Sequence, residues 1–116
     1  MSKIELRKNK ESYTLFVDEV KVGCTWVGYT DIVPNKEFMD KKSKSVMGFF
    51  IEKDFRSKGY GKILMDMVVE SEKKDKTTYL KLGVEKNNIH AIKIYEHSGF
   101  KTDGDLYNMH YMWLKL

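Results

Sequence analysis

Two short segments in the second half of the chain combine residue types that suit the binding of a phosphorylated ligand. The first, Arg56-Ser57-Lys58-Gly59-Tyr60-Gly61, places two glycines and two basic residues directly before an amphipathic stretch that begins at Lys62. Glycines allow close approach of the backbone or positive φ, and the start of a helix offers unpaired N–H groups and a positive dipole end. Basic side chains add charge-assisted hydrogen bonds to phosphate oxygens. The segment therefore predicts a pyrophosphate-binding loop, with an ordinary basic helix start as an equal alternative.

The spacing of these glycines excludes two established phosphate motifs. The nucleoside-triphosphate loop requires Gly-x4-Gly-Lys-Ser/Thr, and the dinucleotide fingerprint requires three glycines with an acidic residue about 20 positions later. Neither pattern fits residues 56–61, which also follow a strand-rich first half.

The second segment, Asn88 to Phe100, has the spacing of a helix with one functional stripe. Asn88, Ala91 and Tyr95 fall along one side, and Asn88 would lie roughly 10 Å from Tyr95 at about 1.5 Å per residue. Such a stripe can flank an extended ligand arm. Core packing of Tyr95 is the alternative, and it is the more common role of a helix tyrosine beside apolar residues.

The elements that must position these segments follow from the hydrophobic periodicity. Alternation of apolar and polar residues over 4–26 predicts a three-stranded antiparallel meander, with Val20, Val22, Cys24 and Trp26 on one side of the third strand. Residues 30–44 read as a long loop with room for one helical turn from Glu37 to Lys41. Residues 45–52 are apolar on both sides, which predicts a central strand covered on both faces.

The second half changes to helical periodicity. An amphipathic helix follows Gly61, residues 78–85 return to a strand, residues 88–97 form a helix capped by Asn87 or Asn88 and ended by Gly99, and one or two strands close the chain. This order predicts an α+β fold: a mixed, mostly antiparallel sheet with a helix on each side. The strands around residues 46 and 84 should be parallel neighbours joined by a right-handed crossover.

The composition limits the classes of function that the chain can have. The chain has 116 residues, enough for a single domain over 1–116, and a formal net charge of +4, which favours anionic partners. One cysteine, Cys24, reads as a small core residue, and three scattered histidines give no metal-ligand spacing, so no metal is expected. Neither a membrane span nor a signal pattern is evident, which makes a cytoplasmic location the default expectation.

Taken together and in this order, the two segments resemble the motifs of the GNAT superfamily of acetyl-CoA-dependent N-acetyltransferases. Residues 56–61 are similar to its Arg/Gln-x-x-Gly-x-Gly/Ala loop, and residues 88–100 to its Asn-x-x-Ala-x-x-x-Tyr-x-x-x-Gly-Phe helix. The resemblance covers roughly residues 46–116. It implies a GNAT-like domain with acetyl-CoA as cosubstrate.

The resemblance also implies roles for individual residues. The loop amides, helped by Lys62, would hold the pyrophosphate of coenzyme A. Main-chain groups of Phe50 and Ile51 would bind the pantetheine arm, and Asn88 would face it. The cofactor-binding set implied in this way is Phe50, Ile51, Arg56, Ser57, Lys58, Gly59, Tyr60, Gly61, Lys62, Asn88 and Tyr95.

The implied reaction is direct attack of a primary amine on acetyl-CoA in a ternary complex. Tyr95 would protonate the departing thiolate, since a tyrosine is mostly protonated at neutral pH. Glu52 and His110 are candidates for the base that deprotonates the amine. The alternatives for these two residues, a solvated carboxylate and a half-buried packing histidine, carry more weight.

The acceptor side departs from the family pattern, because only residues 8–12 join the first two strands, where the family usually has one or two helices. The acceptor site is then either open or built by residues 31–44, and a protein lysine or a small amine can serve as acceptor.

Two alternatives stay open: an acyl-CoA-binding domain without efficient transfer, and a small basic module that binds nucleic acid or protein. Nucleic acid is disfavoured because the strand carrying Tyr111 and Trp113 reads as covered on both sides. The state in solution is expected to be a monomer or a homodimer.

Overall fold

A computed structural model describes residues 2–116 and shows a seven-stranded sheet with two helices. The strands have the order β1-β2-β3-β4-β5-β7-β6. The elements in chain order are β1 (Ile4–Asn9), β2 (Ser12–Val17), β3 (Val20–Gly28), β4 (Lys44–Ile51), a 3-10 turn (Lys53–Phe55), α1 (Tyr60–Lys74), β5 (Tyr79–Glu85), α2 (Ile89–His97), β6 (Lys101–Leu106) and β7 (Met109–Lys115). This architecture confirms the predicted α+β class, including the short connection between β1 and β2.

The three-stranded meander is confirmed, but the predicted facing of β3 is wrong. Both strand pairs are antiparallel. A bulge at Val22 inserts one residue between β2 and β3, and the side-chain alternation reverses there. Val22 is fully buried, whereas Trp26 is 49% exposed on the other side of the sheet. Cys24, expected in the core, is only half-buried.

Strands β4 and β5 are the parallel neighbours that the sequence predicts, but they pair only briefly. Their register joins Lys44 to Leu80 and Ser45 to Lys81, after which the strands separate. We call the gap beyond these pairs the β4–β5 wedge. The prediction that β4 is covered on both faces fails at the wedge, where Phe50 is 43% exposed.

Both helices lie on one face of the sheet, not on opposite faces as expected. They contact each other, and their buried residues share one hydrophobic cluster with β2, β4, β5 and β7. The cause is topological. Strands β4, β5 and β6 run in the same direction and follow one another across the sheet, so two successive right-handed crossovers place both helices on the same side.

The opposite face, which we call the open face, carries Trp26, Lys81 and Trp113, and no helix covers it within residues 2–116. The β3–β4 loop, residues 29–43, crosses part of it. Phe38 packs edge-on against Tyr79 and Trp113, with ring centroids 5.6 and 5.2 Å away. In place of the helical turn considered for this loop there are two isolated hydrogen-bonded turns. The Met39 amide donates to the carbonyl of Lys36 at 2.9 Å, and the Ser43 amide donates to the carbonyl of Asp40 at 3.1 Å.

A buried carboxylate ties the end of α1 to the sheet. Glu72 is 1% exposed and accepts hydrogen bonds from Lys44 Nζ at 2.8 Å, from Thr77 Oγ1 at 2.6 Å and from the Tyr13 hydroxyl. Burial acts to raise the pKa of Glu72, but the hydrogen bonds from Lys44, Thr77 and Tyr13 outweigh it and hold the pKa below its usual value. The carboxylate is therefore charged and fully partnered.

Candidate functional site

A cavity of about 540 Å³ opens where β4, the start of α1 and α2 meet. Its walls are the end of β4, the glycine segment and one side of α2. The lining residues are Phe49, Phe50, Ile51, Phe55, Arg56, Ser57, Gly59, Tyr60, Gly61, Lys62, Asn88, His90, Ala91, Ile94 and His97. The structure thus brings together most of the residues that the sequence assigned to a cofactor, with Lys58 and Tyr95 outside the lining.

The backbone of β4 presents unpaired polar groups to the wedge. The Glu52 amide donates to the Val22 carbonyl of β3 at 2.8 Å, and the Phe50 carbonyl also faces β3, at Gly23. Because successive residues of a strand direct their N–H and C=O groups to opposite sides, those of Ile51 point away from β3 and into the gap. Because the Ile51 carbonyl accepts from Arg56 Nε, main-chain binding of an extended ligand arm is available at the Ile51 N–H, while Phe50 offers its side chain.

The glycine segment supplies free amides at the start of α1. Gly59 is the N-cap, with φ of 87°, and has no side-chain hydrogen bond. Its φ lies in the left-handed region that glycine adopts without strain, and a Cβ there would meet nothing within 4 Å. The first intrahelical bond runs from the Ile63 amide to the Gly59 carbonyl, so the amides of residues 60–62 have no intrahelical partner. They form a site for an anion.

Gly61 has a different role from Gly59, because the helix already begins at Tyr60. A Cβ on Gly61 would lie 2.7 Å from Ile94 Cδ1 of α2. The absence of a side chain at residue 61 lets α1 and α2 approach closely, and this shapes the cavity between them. The RxxGxG spacing therefore combines one conformational glycine with one packing glycine.

The basic side chains near the loop differ in how free they are to bind a ligand. Arg56 donates from Nε to the Ile51 carbonyl at 2.8 Å, and its guanidinium lies 5.1 Å from the centre of the Phe50 ring. Lys62 pairs with Asp66 at 2.5 Å. Lys58 is exposed, with its Nζ 5.9 Å from the Phe55 ring. Arg56 thus holds the loop against the end of β4 while its remaining N–H groups face the cavity.

Asn88 and Tyr95 stand at different depths beside the cavity. Asn88 is the N-cap of α2 and accepts from the Ala91 amide at 3.2 Å, which settles the cap between the two candidate asparagines. Tyr95 is 6% exposed and packs behind Phe49, with ring centroids 5.5 Å apart. Burial raises the pKa of Tyr95 to about 12, so its hydroxyl is protonated at neutral pH.

The two candidate bases lie outside the cavity lining. Glu52 follows β4 and its carbonyl accepts from the Phe55 amide at 2.9 Å, which starts the 3-10 turn. His110 on β7 has both ring nitrogens engaged: Nδ1 lies 2.5 Å from Asp105 Oδ1, and Nε2 lies 3.3 Å from Thr102 Oγ1. Their assignment as bases stays a prediction.

Sequence reasoning missed two histidines of α2. His90 and His97 both line the cavity, and their separation of seven residues places them on one side of a helix, two turns apart. That spacing, read together with Ala91 and Ile94, was the signal that could have found them. With Asn88, they are the polar groups of a wall that also contains Ala91 and Ile94.

Comparison with known sequences gives a family match over most of the chain. A model described as the acetyltransferase (GNAT) family matches residues 2–100. The "Probable spermine N(1)-acetyltransferase" of Bacillus subtilis subsp. natto (strain BEST195) is 36% identical over 59 residues, and the spermine/spermidine N(1)-acetyltransferase of Bacillus subtilis (strain 168) is 34% identical over 59 residues. Each match covers 50% of this chain and 39% of the relative, so the chain spans well under half of their length.

Solved structures show the same fold. The Bacillus subtilis acetyltransferase in complex with CoA superposes with a TM-score of 0.77 at 17% identity, covering 100% of this chain and 99% of that one. An N-acetyltransferase from Thermoplasma acidophilum in complex with coenzyme A gives a TM-score of 0.74 at 17% identity, covering 90% and 60%. At these identities the likeness establishes the architecture. No helix described in residues 2–116 is long and apolar enough to cross a membrane.

Proposed function

The chain belongs to the acetyltransferase (GNAT) family, and we propose that it transfers an acetyl group from acetyl-CoA to a primary amine. The observation that carries the proposal is the cavity itself, which joins the free amides at the start of α1 to the β4–β5 wedge. An elongated ligand with an anionic end and a narrow arm fits that shape. Coenzyme A has both parts.

The anionic end of the coenzyme binds at the start of α1 in this proposal. The amides of residues 60–62 donate to the pyrophosphate, and the helix dipole and Arg56 stabilise its charge. The pantetheine arm then runs along β4 and bonds to the free N–H of Ile51, whose carbonyl accepts from Arg56 Nε. Asn88 and Ala91 of α2 form the other wall.

The acetyl group moves by direct attack in a ternary complex. The amine nitrogen forms a bond to the thioester carbon, backbone N–H groups of β4 at the wedge stabilise the oxyanion, and the C–S bond breaks. The proposed general acid is Tyr95. Because its pKa is about 12, complete proton transfer to a thiolate of pKa about 8.5 is unfavourable by roughly 5 kcal/mol, so a hydrogen bond to the developing thiolate is its main contribution.

The relatives named for spermine and spermidine make polyamines the first acceptors to test. A lysine side chain on a protein is the alternative, because it offers the same primary amine. Glu52 and His110 lie outside the cavity lining, and both ring nitrogens of His110 are engaged, so water or a group on the open face is the alternative for removal of the amine proton.

Titration calorimetry with acetyl-CoA, followed by thiol release with spermidine and with a lysine peptide, tests the proposal. We expect micromolar binding and amine-dependent release of coenzyme A. Binding without release to any amine would instead favour an acyl-CoA-binding domain. Absence of binding by folded protein would overturn the proposal.

The role of Tyr95 is tested by Tyr95→Phe, with Tyr107→Phe as the control because Tyr107 is 87% exposed in the β6–β7 turn and does not line the cavity. A hydrogen bond to a charged group contributes about 1.5–3 kcal/mol, so kcat should fall roughly tenfold to hundredfold. The acetyl-CoA dissociation constant should stay unchanged. Unchanged kcat in Tyr95→Phe would remove this residue from the mechanism.

A further inference from the structure

Lys81 of β5 is a buried amine without a counter-ion. It is 4% exposed, and the salt bridges found in residues 2–116 do not include it. Its Nζ donates one hydrogen bond, to Asn35 Oδ1 of the β3–β4 loop. Burying an ammonium without a partner is costly, so such a group either becomes neutral or is kept for a function.

Lys81 lies at the closed end of the β4–β5 wedge, where the two strands are still paired. Its backbone pairs with Ser45, and beyond this pair the two strands separate. Ser45 Oγ is also buried and has no hydrogen-bond partner among the described residues. An arm that enters at Ile51 and follows β4 ends near this point, since six residues of strand span roughly 20 Å.

Lys81 lies on the open face, opposite both helices. Its neighbours in β5, Leu80 and Leu82, point into the core beneath the helices, so Lys81 points the other way. A coenzyme bound against α1 and α2 occupies the helical side of the wedge. The acceptor amine would then approach from the open face, the side of the sheet on which the Lys81 side chain lies.

Burial favours the neutral form of the Lys81 amine. Burial lowers the pKa of Lys81, and the charge of Asp31 in the loop opposes this only in part. Three lysines of the surrounding elements are engaged elsewhere. Lys44 of β4 bonds to Glu72, Lys36 of the loop pairs with Asp103 of β6, and Lys101 of β6 lies 5.5 Å from the ring of Trp113.

Resting on the proposed acetyl transfer, we propose that Lys81 is the general base that takes the proton from the attacking amine. In its neutral form, Lys81 donates one N–H to Asn35 and keeps its lone pair for that proton. The proton moves from the acceptor ammonium to Lys81 Nζ, the freed amine nitrogen bonds to the thioester carbon, and the C–S bond breaks. The proton now on Lys81 is released to solvent as the amide product loses its second N–H proton to the coenzyme thiolate.

The test compares Lys81→Met with Asn35→Ala. Lys81→Met keeps the length and burial of the side chain but removes the amine, whereas Asn35→Ala breaks the same hydrogen bond to the loop and keeps the amine. The measurement is kcat/KM for spermidine or a lysine peptide from pH 7 to 10, with acetyl-CoA affinity and thermal unfolding as controls. These controls separate loss of a base from loss of the fold.

We expect Lys81→Met to lower kcat/KM about a hundredfold at pH 7, the usual size of a general-base effect. The deficit should shrink as the pH rises, because solution then supplies the amine already deprotonated. The ratio of wild type to Asn35→Ala should not depend on pH. An equal and pH-independent loss of kcat/KM in both variants would overturn the proposal and leave Lys81 as an anchor for the loop. A wild-type protein inactive with both amines would overturn the proposed function and the role of Lys81 with it.

Discussion

The two ends of α1 differ in whether their polar groups have hydrogen-bond partners within the protein. At its start, the amides of residues 60–62 lack intrahelical partners and the Gly59 cap provides no side chain. At its end, the carboxylate of Glu72 is buried and accepts from three donors. A polar group that the fold satisfies internally contributes to stability, whereas one that the fold leaves accessible and unpaired can bind a ligand.

This comparison predicts that stability and ligand binding separate along a single helix. Changes at the Glu72 end should destabilise the fold without altering acetyl-CoA affinity, and changes at Gly59 should do the reverse. The cavity lies at the first end only, since Glu72 does not contribute to its lining.

The largest effect is expected for Glu72→Ala. Removing one partner of a buried charged network costs about 3–5 kcal/mol, because Lys44 and the hydroxyls of Tyr13 and Thr77 lose their acceptor. Urea unfolding measures the loss, and Glu70→Ala, on the exposed side of the same helix, is the control. A loss below 1 kcal/mol would show that the network behaves like a surface ion pair.

The second effect is on binding and uses the pair Gly59→Asp and Gly59→Asn. Both residues tolerate the left-handed conformation and cap helices, so their stabilities should be similar, but the carboxylate repels a pyrophosphate at the helix start. Acetyl-CoA should bind the aspartate variant at least about fivefold more weakly than the asparagine variant, as a charge–charge energy of about 1–4 kcal/mol implies. Calorimetry measures both constants, and equal affinities would place the pyrophosphate elsewhere.

A smaller effect is expected where the two helices meet. Gly61→Ala introduces a Cβ 2.7 Å from Ile94 Cδ1, and overpacking of this kind costs about 1–3 kcal/mol, offset in part by better helix propensity. In an Ile94→Val background that methyl group is absent, so Gly61→Ala should be neutral or stabilising. A double-mutant cycle measures the coupling, which should be about 1 kcal/mol. Additive effects would contradict the packing role of Gly61.

The smallest effect concerns acid pH. Burial opposes ionisation of Glu72, but hydrogen bonds from Lys44, Thr77 and Tyr13 hold its pKa below the ordinary value of 4.5. A lowered folded-state pKa stabilises the protein above the unfolded-state pKa, and this contribution is lost as the pH falls through the folded-state pKa. The stability difference between wild type and Glu72→Gln should therefore be constant near neutral pH and shrink below about 4.5. A difference that grows in acid would contradict the lowered pKa.

Local features of the fold were predictable because they depend on neighbouring residues. Apolar alternation predicted the meander, and the change of period after Gly61 predicted α1. The glycine at the helix start and the asparagine cap of α2 were also readable from sequence, because steric limits on φ and the geometry of capping act over a few residues. The coenzyme-binding loop was proposed on the same grounds.

Features that depend on distant parts of the chain were not predictable in this way. The bulge at Val22 turned Trp26 out of the core, and the β3–β4 loop, whose role sequence left open, crosses the open face. Lys81 belongs to an ordinary alternating strand in sequence, and only its contact with Asn35 of the loop shows that it is buried.

By itself, the sequence determined the order of strands and helices, the α+β class and the glycine loop, since side-chain periodicity and backbone sterics are local. The tertiary structure decided that both helices share one face and that Gly61 packs against Ile94. It also decided that Lys81 lies without a counter-ion at the closed end of the wedge. Those outcomes depend on crossover handedness and on contacts between segments far apart in the chain, which no local pattern encodes.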